Sequence, residues 1–127
     1  SEEHKEEQDT YEQFLVKKDV QFIEKIHQVI EENLDNSDFN IDTIASTIGL
    51  SRSAFFKKLK SLTGFAPVDL VKEIRLNKSI ELIKNSDMSI SEIAFAVGFK
   101  DSGYFSKCFR KKYDQTPREY MNEWRKS

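Results

Sequence analysis

The 127-residue chain contains one cysteine, two prolines, four glycines and two histidines. A lone Cys108 excludes an internal disulfide and fits a reducing compartment, so this segment is expected in the cytoplasm. So few Gly and Pro cannot supply the turns of an all-β chain, and they favour helices. No apolar run approaches the ~18–20 residues of a membrane span, so no membrane contact is expected from this segment. The opening Ser1-Glu2-Glu3-His4-Lys5-Glu6-Glu7 is acidic with no apolar stretch behind it, unlike a secretion signal. His4 and His27 form no metal set and no nucleophile–base pair with Cys108, and there is no Gly-rich phosphate loop. These absences nominate no catalytic residue, metal or cofactor, and they point away from an enzyme. Cys108, three residues after Phe105, is expected to be buried and structural.

What the chain does have is charge, unevenly placed. Hydrophobic residues make up 38% and charged residues 33%, and mean hydropathy is −0.62, so the core must be lean, with ten Phe supplying most of its bulk. The net charge of −2 conceals a split. Residues 1–39 hold 12 Asp/Glu and 4 Lys/Arg, whereas residues 40–127 hold 10 Asp/Glu and 16 Lys/Arg. A basic body behind an acidic lead-in is the pattern of a polyanion-binding domain with a linker or tail.

Periodicity predicts an all-α chain of seven helices. Residues 1–18 have poor periodicity, with only Tyr11, Phe14, Leu15 and Val16 to bury, and read as an acidic linker, partly disordered or helical. Asp19 is a plausible N-cap for a first helix burying Val20, Ile23, Ile26/His27, Ile30 and Leu34 and ending at Asp35-Asn36-Ser37-Asp38. A short second helix carries Ile41, Ile44, Ala45 and Ile48 and stops at Gly49. Ser51 caps a third, with Phe55, Leu59 and Leu62 inward, ending at Gly64. Pro67 opens a long fourth helix through Val71, Ile74, Ile80 and Leu82/Ile83 to about Asn85. Ser89 caps a fifth, with Ile90, Ile93, Ala94 and Val97, stopped by Gly98. Asp101 caps a sixth, with Phe105 and Phe109 inward, and Pro117 opens a seventh through Tyr120, Met121 and Trp124.

The chain also repeats itself. Ile41-x-x-Ile44-Ala45-x-x-Ile48-Gly49-Leu50 matches Ile90-x-x-Ile93-Ala94-x-x-Val97-Gly98-Phe99 at an offset of 49. After one inserted residue the offset is 50, pairing Phe55 with Phe105, Leu59 with Phe109, Pro67 with Pro117 and Arg75 with Arg125. Each unit reads as helix-turn-helix: a small residue (Ala45, Ala94) where two helices approach, then a Gly for positive φ (Gly49, Gly98), an apolar plug and a capped helix. With Phe55 and Leu59 inward, Ser53, Lys57 and Lys60 point outward, flanked by Phe56 and Ser61. With Phe105 and Phe109 inward, Gly103, Lys107 and Arg110 point outward, flanked by Ser106 and Lys111. Both outward faces mix cations with small polar groups, a composition suited to phosphates and base edges.

The second unit, from Ile90-Ser91-Glu92-Ile93-Ala94 through Val97-Gly98-Phe99-x-Asp101 and Tyr104-Phe105-Ser106-Lys107-x-Phe109-Arg110-Lys111 to Thr116-Pro117-x-x-Tyr120, closely resembles the signature of AraC/XylS-type transcription regulators. The first unit, with Ser51-Arg52-Ser53, Leu59-Lys60-Ser61-Leu62-Thr63-Gly64 and Arg75-Leu76, resembles that family's first subdomain. The Lys58–Gly64 wording resembles the output domain of hybrid two-component sensors from Bacteroidetes-like bacteria. The resemblance implies a DNA-binding domain over 19–127: a first unit (19–66), a linker helix (67–85) and a second unit (86–127). It implies a sequence-specific regulator of transcription, usually an activator, that binds a double-stranded operator, meets RNA polymerase and follows a receiver or sensor domain, inner-membrane anchored if the full-length protein is a hybrid sensor. Base contacts are then expected from Ser53, Phe56, Lys57, Ser102, Gly103, Ser106 and Lys107. Arg52 and Ser61 complete the set, with Lys60, Arg110 and Lys111 meeting phosphates. Two positions depart from the pattern: Asp114 replaces a common Gly, and Gly103 offers no side chain to read a base.

Blander readings stand beside these. Phe56 is either a wedge against a thymine methyl or a rim residue packed on its own subdomain, and Lys57 and Lys107 are either groove contacts or solvated lysines. Arg75 and Arg125 are expected to serve structural ion pairs rather than DNA. A helical protein-interaction module with a repurposed helix-turn-helix is the alternative to DNA binding.

Overall fold

A computed structural model describes residues 2–125. These contain seven helices and no strand: α1 (Glu2–Glu32), α2 (Ile41–Ile48), α3 (Arg52–Thr63), α4 (Pro67–Asn85), α5 (Ile90–Ala96), α6 (Ser102–Tyr113) and α7 (Pro117–Trp124).

The helix starts and stops follow local chemistry. Asn40, Ser51, Ser89, Asp101 and Thr116 each accept a backbone N–H of the following turn with the side chain, and Ser89–Glu92 and Thr116–Glu119 close reciprocal capping boxes. Each such cap stabilises its helix by about 1 kcal/mol. Gly49 at φ 84° reverses the chain after α2, where the Leu50 N–H returns to the Ala45 carbonyl at 2.9 Å. Asp114 occupies the left-handed region at φ 59°, as its place in the pattern requires of it.

The first helix departs from expectation. Residues 2–18, read as a linker either partly disordered or helical, form the first half of α1 as regular helix, and Asp19 lies inside the helix rather than capping it. The segment is rich in Glu, Lys and Gln, which favour helix without needing burial, and Gln8 donates to Glu12 one turn on. Its side chains through Lys18 are all exposed. The buried stripe begins at Phe22 and continues through Ile26, Val29 and Ile30 to Leu34; Val20, expected inside, faces solvent.

The core is a chain of aromatic and aliphatic contacts. Phe55 and Leu59 on α3, and Phe105 and Phe109 on α6, are fully buried, in agreement with the repeat. Phe109 is ringed by Phe105, Tyr113 and Tyr120 at centroid distances of 5.8, 4.6 and 5.8 Å. Leu62 is exposed, a correction: it lies at the end of α3, beyond the cover of its neighbours. Along α4, Leu70, Ile74, Leu76 and Ile83 are buried, with Val71, Ile80 and Leu82 at the margin. Helix α4 packs on α1 and α3 with one part of its surface and on α5 and α7 with another. It therefore closes the first unit and opens the second, as α1 opens the first.

Candidate nucleic-acid interface

Helices α3 and α6 are oriented by the same device. The Ser51 Oγ accepts the Ala54 N–H at 3.2 Å, and Asp101 Oδ1 accepts those of Gly103 and Tyr104 at 2.6 and 3.0 Å. Two buried residues one turn apart, Phe55/Leu59 and Phe105/Phe109, then fix the rotation of each helix about its axis. On α3 this turns Arg52, Ser53, Phe56, Lys57, Lys60 and Ser61 to solvent, with Phe56 47% exposed. On α6, Gly103, Lys107, Arg110 and Lys111 are exposed and Ser102 and Ser106 partly so. Ser106, Lys107, Arg110 and Lys111 line one open depression with Thr116.

Neither helix contains an acidic residue, whereas α3 carries Arg52, Lys57, Lys58 and Lys60 and α6 carries Lys107, Arg110, Lys111 and Lys112. These eight cations have unequal freedom. Lys58 lies over the Phe22 ring at 4.2 Å, and Lys112 is held by Glu73 and by Asn77, which also accepts the Tyr113 hydroxyl at 3.1 Å. Burial raises the Tyr113 phenol from its ordinary 10.0 to about 12, helped by the Glu73 charge. Arg52 pairs with Asp42 at 3.6 Å across exposed surface, where water weakens the attraction. Lys57, Lys60, Lys107, Arg110 and Lys111 have no ion-pair partner among the described residues. They are the cations left for an anionic ligand.

The arginine pair is structural, but not through ion pairs. The buried Arg75 Nη1 donates to the carbonyls of Leu34 and Val97 at 2.5 and 2.6 Å, and Nη2 to that of Asn36 at 3.3 Å. Burial pulls its pKa below the usual guanidinium value. Arg125 donates to the carbonyls of Ile83 and Met88 at 3.1 and 2.8 Å. Leu34 and Ile83 are themselves repeat-related, so each arginine collects carbonyls left at the end of the helix that opens its unit. Cys108 is buried and unpaired, as expected.

Tyr104 belongs to the second unit's signature, yet the sequence pattern assigns it no role. It is half exposed in the first turn of α6, with the Lys72 ammonium 5.7 Å from its ring centre, and a side-chain hydrogen bond with Tyr104 raises the Lys72 pKa. Its position one residue before buried Phe105 is the signal that could have placed it on the outward edge.

Two short helices joined by a glycine turn, the second offering a capped cationic face, form a helix-turn-helix motif, present here twice. The helix-turn-helix domain family matches residues 44–123, and the chain belongs to it as an AraC-type DNA-binding domain. Its sequence is 38% identical over 106 residues to histidine kinase P4 of Formosa agariphila, covering 84% of this chain and 8% of that relative. The fold is similar to the C-terminal domain of the two-component response regulator yesN from Fusobacterium nucleatum, with TM-score 0.70, 31% identity and coverage of 77% of this chain and 95% of that one. It is also similar to the DNA-binding domain of the global transcriptional factor AdpA in complex with a target DNA, with TM-score 0.75, 28% identity and coverage of 83% and 93%. The protein is thus a DNA-binding transcription-regulator domain. Among the described residues no helix is long and apolar enough to cross a membrane.

Proposed function

We propose that the domain binds a specific double-stranded operator and activates transcription, with α3 and α6 entering successive major-groove segments. The observation that carries this reading is the pair of acid-free cationic helices, each locked by two buried residues, with α3 packed on α4 and α6 tied to it through Lys112 and Tyr113 against Glu73 and Asn77. As a 19-residue helix, α4 is about 28 Å long, near the ~34 Å of one duplex turn. Residues 19–127 are the binding unit, divided at 66/67 and 85/86. Arg52, Ser53, Phe56, Lys57, Ser61, Ser102, Gly103, Ser106 and Lys107 meet base edges or their surroundings. Lys60, Arg110 and Lys111 meet phosphates. The exposed ring of Phe56 supports the thymine-methyl reading over the rim reading.

The similarity to part of a histidine kinase supports a larger chain in which a receiver or sensor domain precedes this one in the cytoplasm, with RNA polymerase as the second partner and no catalysis in this segment. An unbiased selection from random duplexes, followed by anisotropy titration at several salt concentrations, tests the reading. Release of ions from ~6–8 phosphates gives a log–log salt slope of roughly −5 to −7. A slope near zero on the selected duplex would favour a protein-interaction module instead.

A further inference from the structure

The internal repeat separates what each residue does for its own unit from what it does between units. Arg125 and Arg75 occupy equivalent positions, yet only Arg75 reaches across. Its Nη1 joins the Leu34 carbonyl, at the exit of α1 in the first unit, to the Val97 carbonyl, which caps α5 in the second. The two turn glycines differ in the same sense. Gly49 and Gly98 both have positive φ, but a Cβ on Gly49 would meet nothing, whereas one on Gly98 would fall on the Arg75 guanidinium and the Leu34 carbonyl. Gly98 is therefore required for contact between units as well as for its backbone angle. Nearby, Lys100 of the second turn pairs with Asp38 of the first unit's loop at 3.0 Å. The junction stands immediately before α6, whose cap is Asp101.

We infer that Arg75, seated against Gly98, is a specificity-determining positioning residue: it fixes α6 relative to α3 and so sets which spacing between two DNA boxes the domain accepts. The inference rests on the proposed two-groove binding. A guanidinium suits the task because its planar fork serves three carbonyls at once and stays charged when buried. Lysine in its place would present one compact ammonium to carbonyls of two different units.

The test measures binding of the 127-residue chain to duplexes carrying both boxes at the selected spacing, at spacings one or two base pairs shorter or longer, and to a single-box duplex. The unsubstituted chain is expected to lose about tenfold or more in affinity when the spacing is wrong, because duplex or protein must deform. Arg75→Lys is expected to flatten that profile to about threefold, chiefly through weaker binding at the selected spacing, with single-box affinity unchanged. Arg125→Lys, within one unit, is the control and should keep the profile. Gly98→Ala should flatten it and Gly49→Ala should not, although both incur the same backbone strain. An Arg75→Lys chain that melts earlier yet keeps the spacing profile would reduce Arg75 to a stability role and overturn the inference. Should the variants not fold, residual dipolar couplings of the unsubstituted chain decide: one alignment tensor for both units supports the junction, two overturn it. If the unsubstituted chain binds one box as tightly as two, the two-groove reading itself fails.

Discussion

Deleting residues 1–18 tests whether a helix can be regular and still contribute nothing to stability. The helix α1 is 31 residues, about 46 Å long, and its first core contact is Phe22. Tyr11, Phe14, Leu15 and Val16 are 62%, 51%, 43% and 62% exposed, so removing them uncovers no core. What is lost is an isolated helical segment of marginal intrinsic stability. The expected change in unfolding free energy is below ~0.5 kcal/mol, and the melting temperature should move by less than ~3 °C. Far-ultraviolet circular dichroism should nonetheless fall by about a sixth, the share of helical residues removed. The deletion takes away six carboxylates and three lysines, raising net charge from −2 to +1, so DNA affinity at low salt should rise slightly. Hydrogen exchange on the intact chain should show fast amides before Lys18 and slow ones from Phe22 onward. A stability loss above ~1.5 kcal/mol would refute the reasoning and require Tyr11, Phe14 or Leu15 to touch the body.

Three further outcomes are expected. Lys57→Ala should cost ~1–3 kcal/mol on the preferred duplex and relax selectivity at particular base pairs, whereas Lys60→Ala should weaken all sequences alike and flatten the salt slope by about one; identical behaviour of the two would contradict the assigned roles. Phe109→Ala should destabilise by ~3–5 kcal/mol in chemical denaturation, since it empties a fully buried, ring-lined site, and a loss under ~1 kcal/mol would contradict that packing. Because the folded protein raises the Tyr113 phenol from 10.0 to about 12, its contribution is intact below pH 10 and is lost as pH rises through 12. Phenolate absorbance should show one tyrosine titrating late, and Tyr113→Phe should remove it.

The helix boundaries were legible where single residues enforce them. Gly49, Gly64 and Gly98 adopt positive φ, and Ser51, Ser89 and Asp101 cap as their spacing requires. The outward faces of α3 and α6 followed from the paired Phe positions. The rotation of α1 was legible from Ile26, Ile30 and Leu34, but where its buried stripe begins was not, because Val20-x-x-Ile23 and Phe22-x-x-x-Ile26 both fit helical spacing and the choice depends on where the other helices stand. The N-terminal half of α1 was left between disordered and helical because periodicity detects burial, and this segment is helical without any. The role of Arg75 was hidden for another reason. A charged residue in mid-helix suggests a carboxylate partner, whereas its partners are backbone carbonyls 41 and 22 residues away, which side-chain patterns do not encode.

The double use of α4 bears on how the molecule comes apart. Leu70, Ile74, Leu76 and Ile83 belong to one continuous cluster that includes Phe55 and Phe109, so loosening either unit strips a wall from the other. The chain should therefore melt in a single cooperative transition, unlike two beads on a string. A proteolytic cut within α4 would release no folded half.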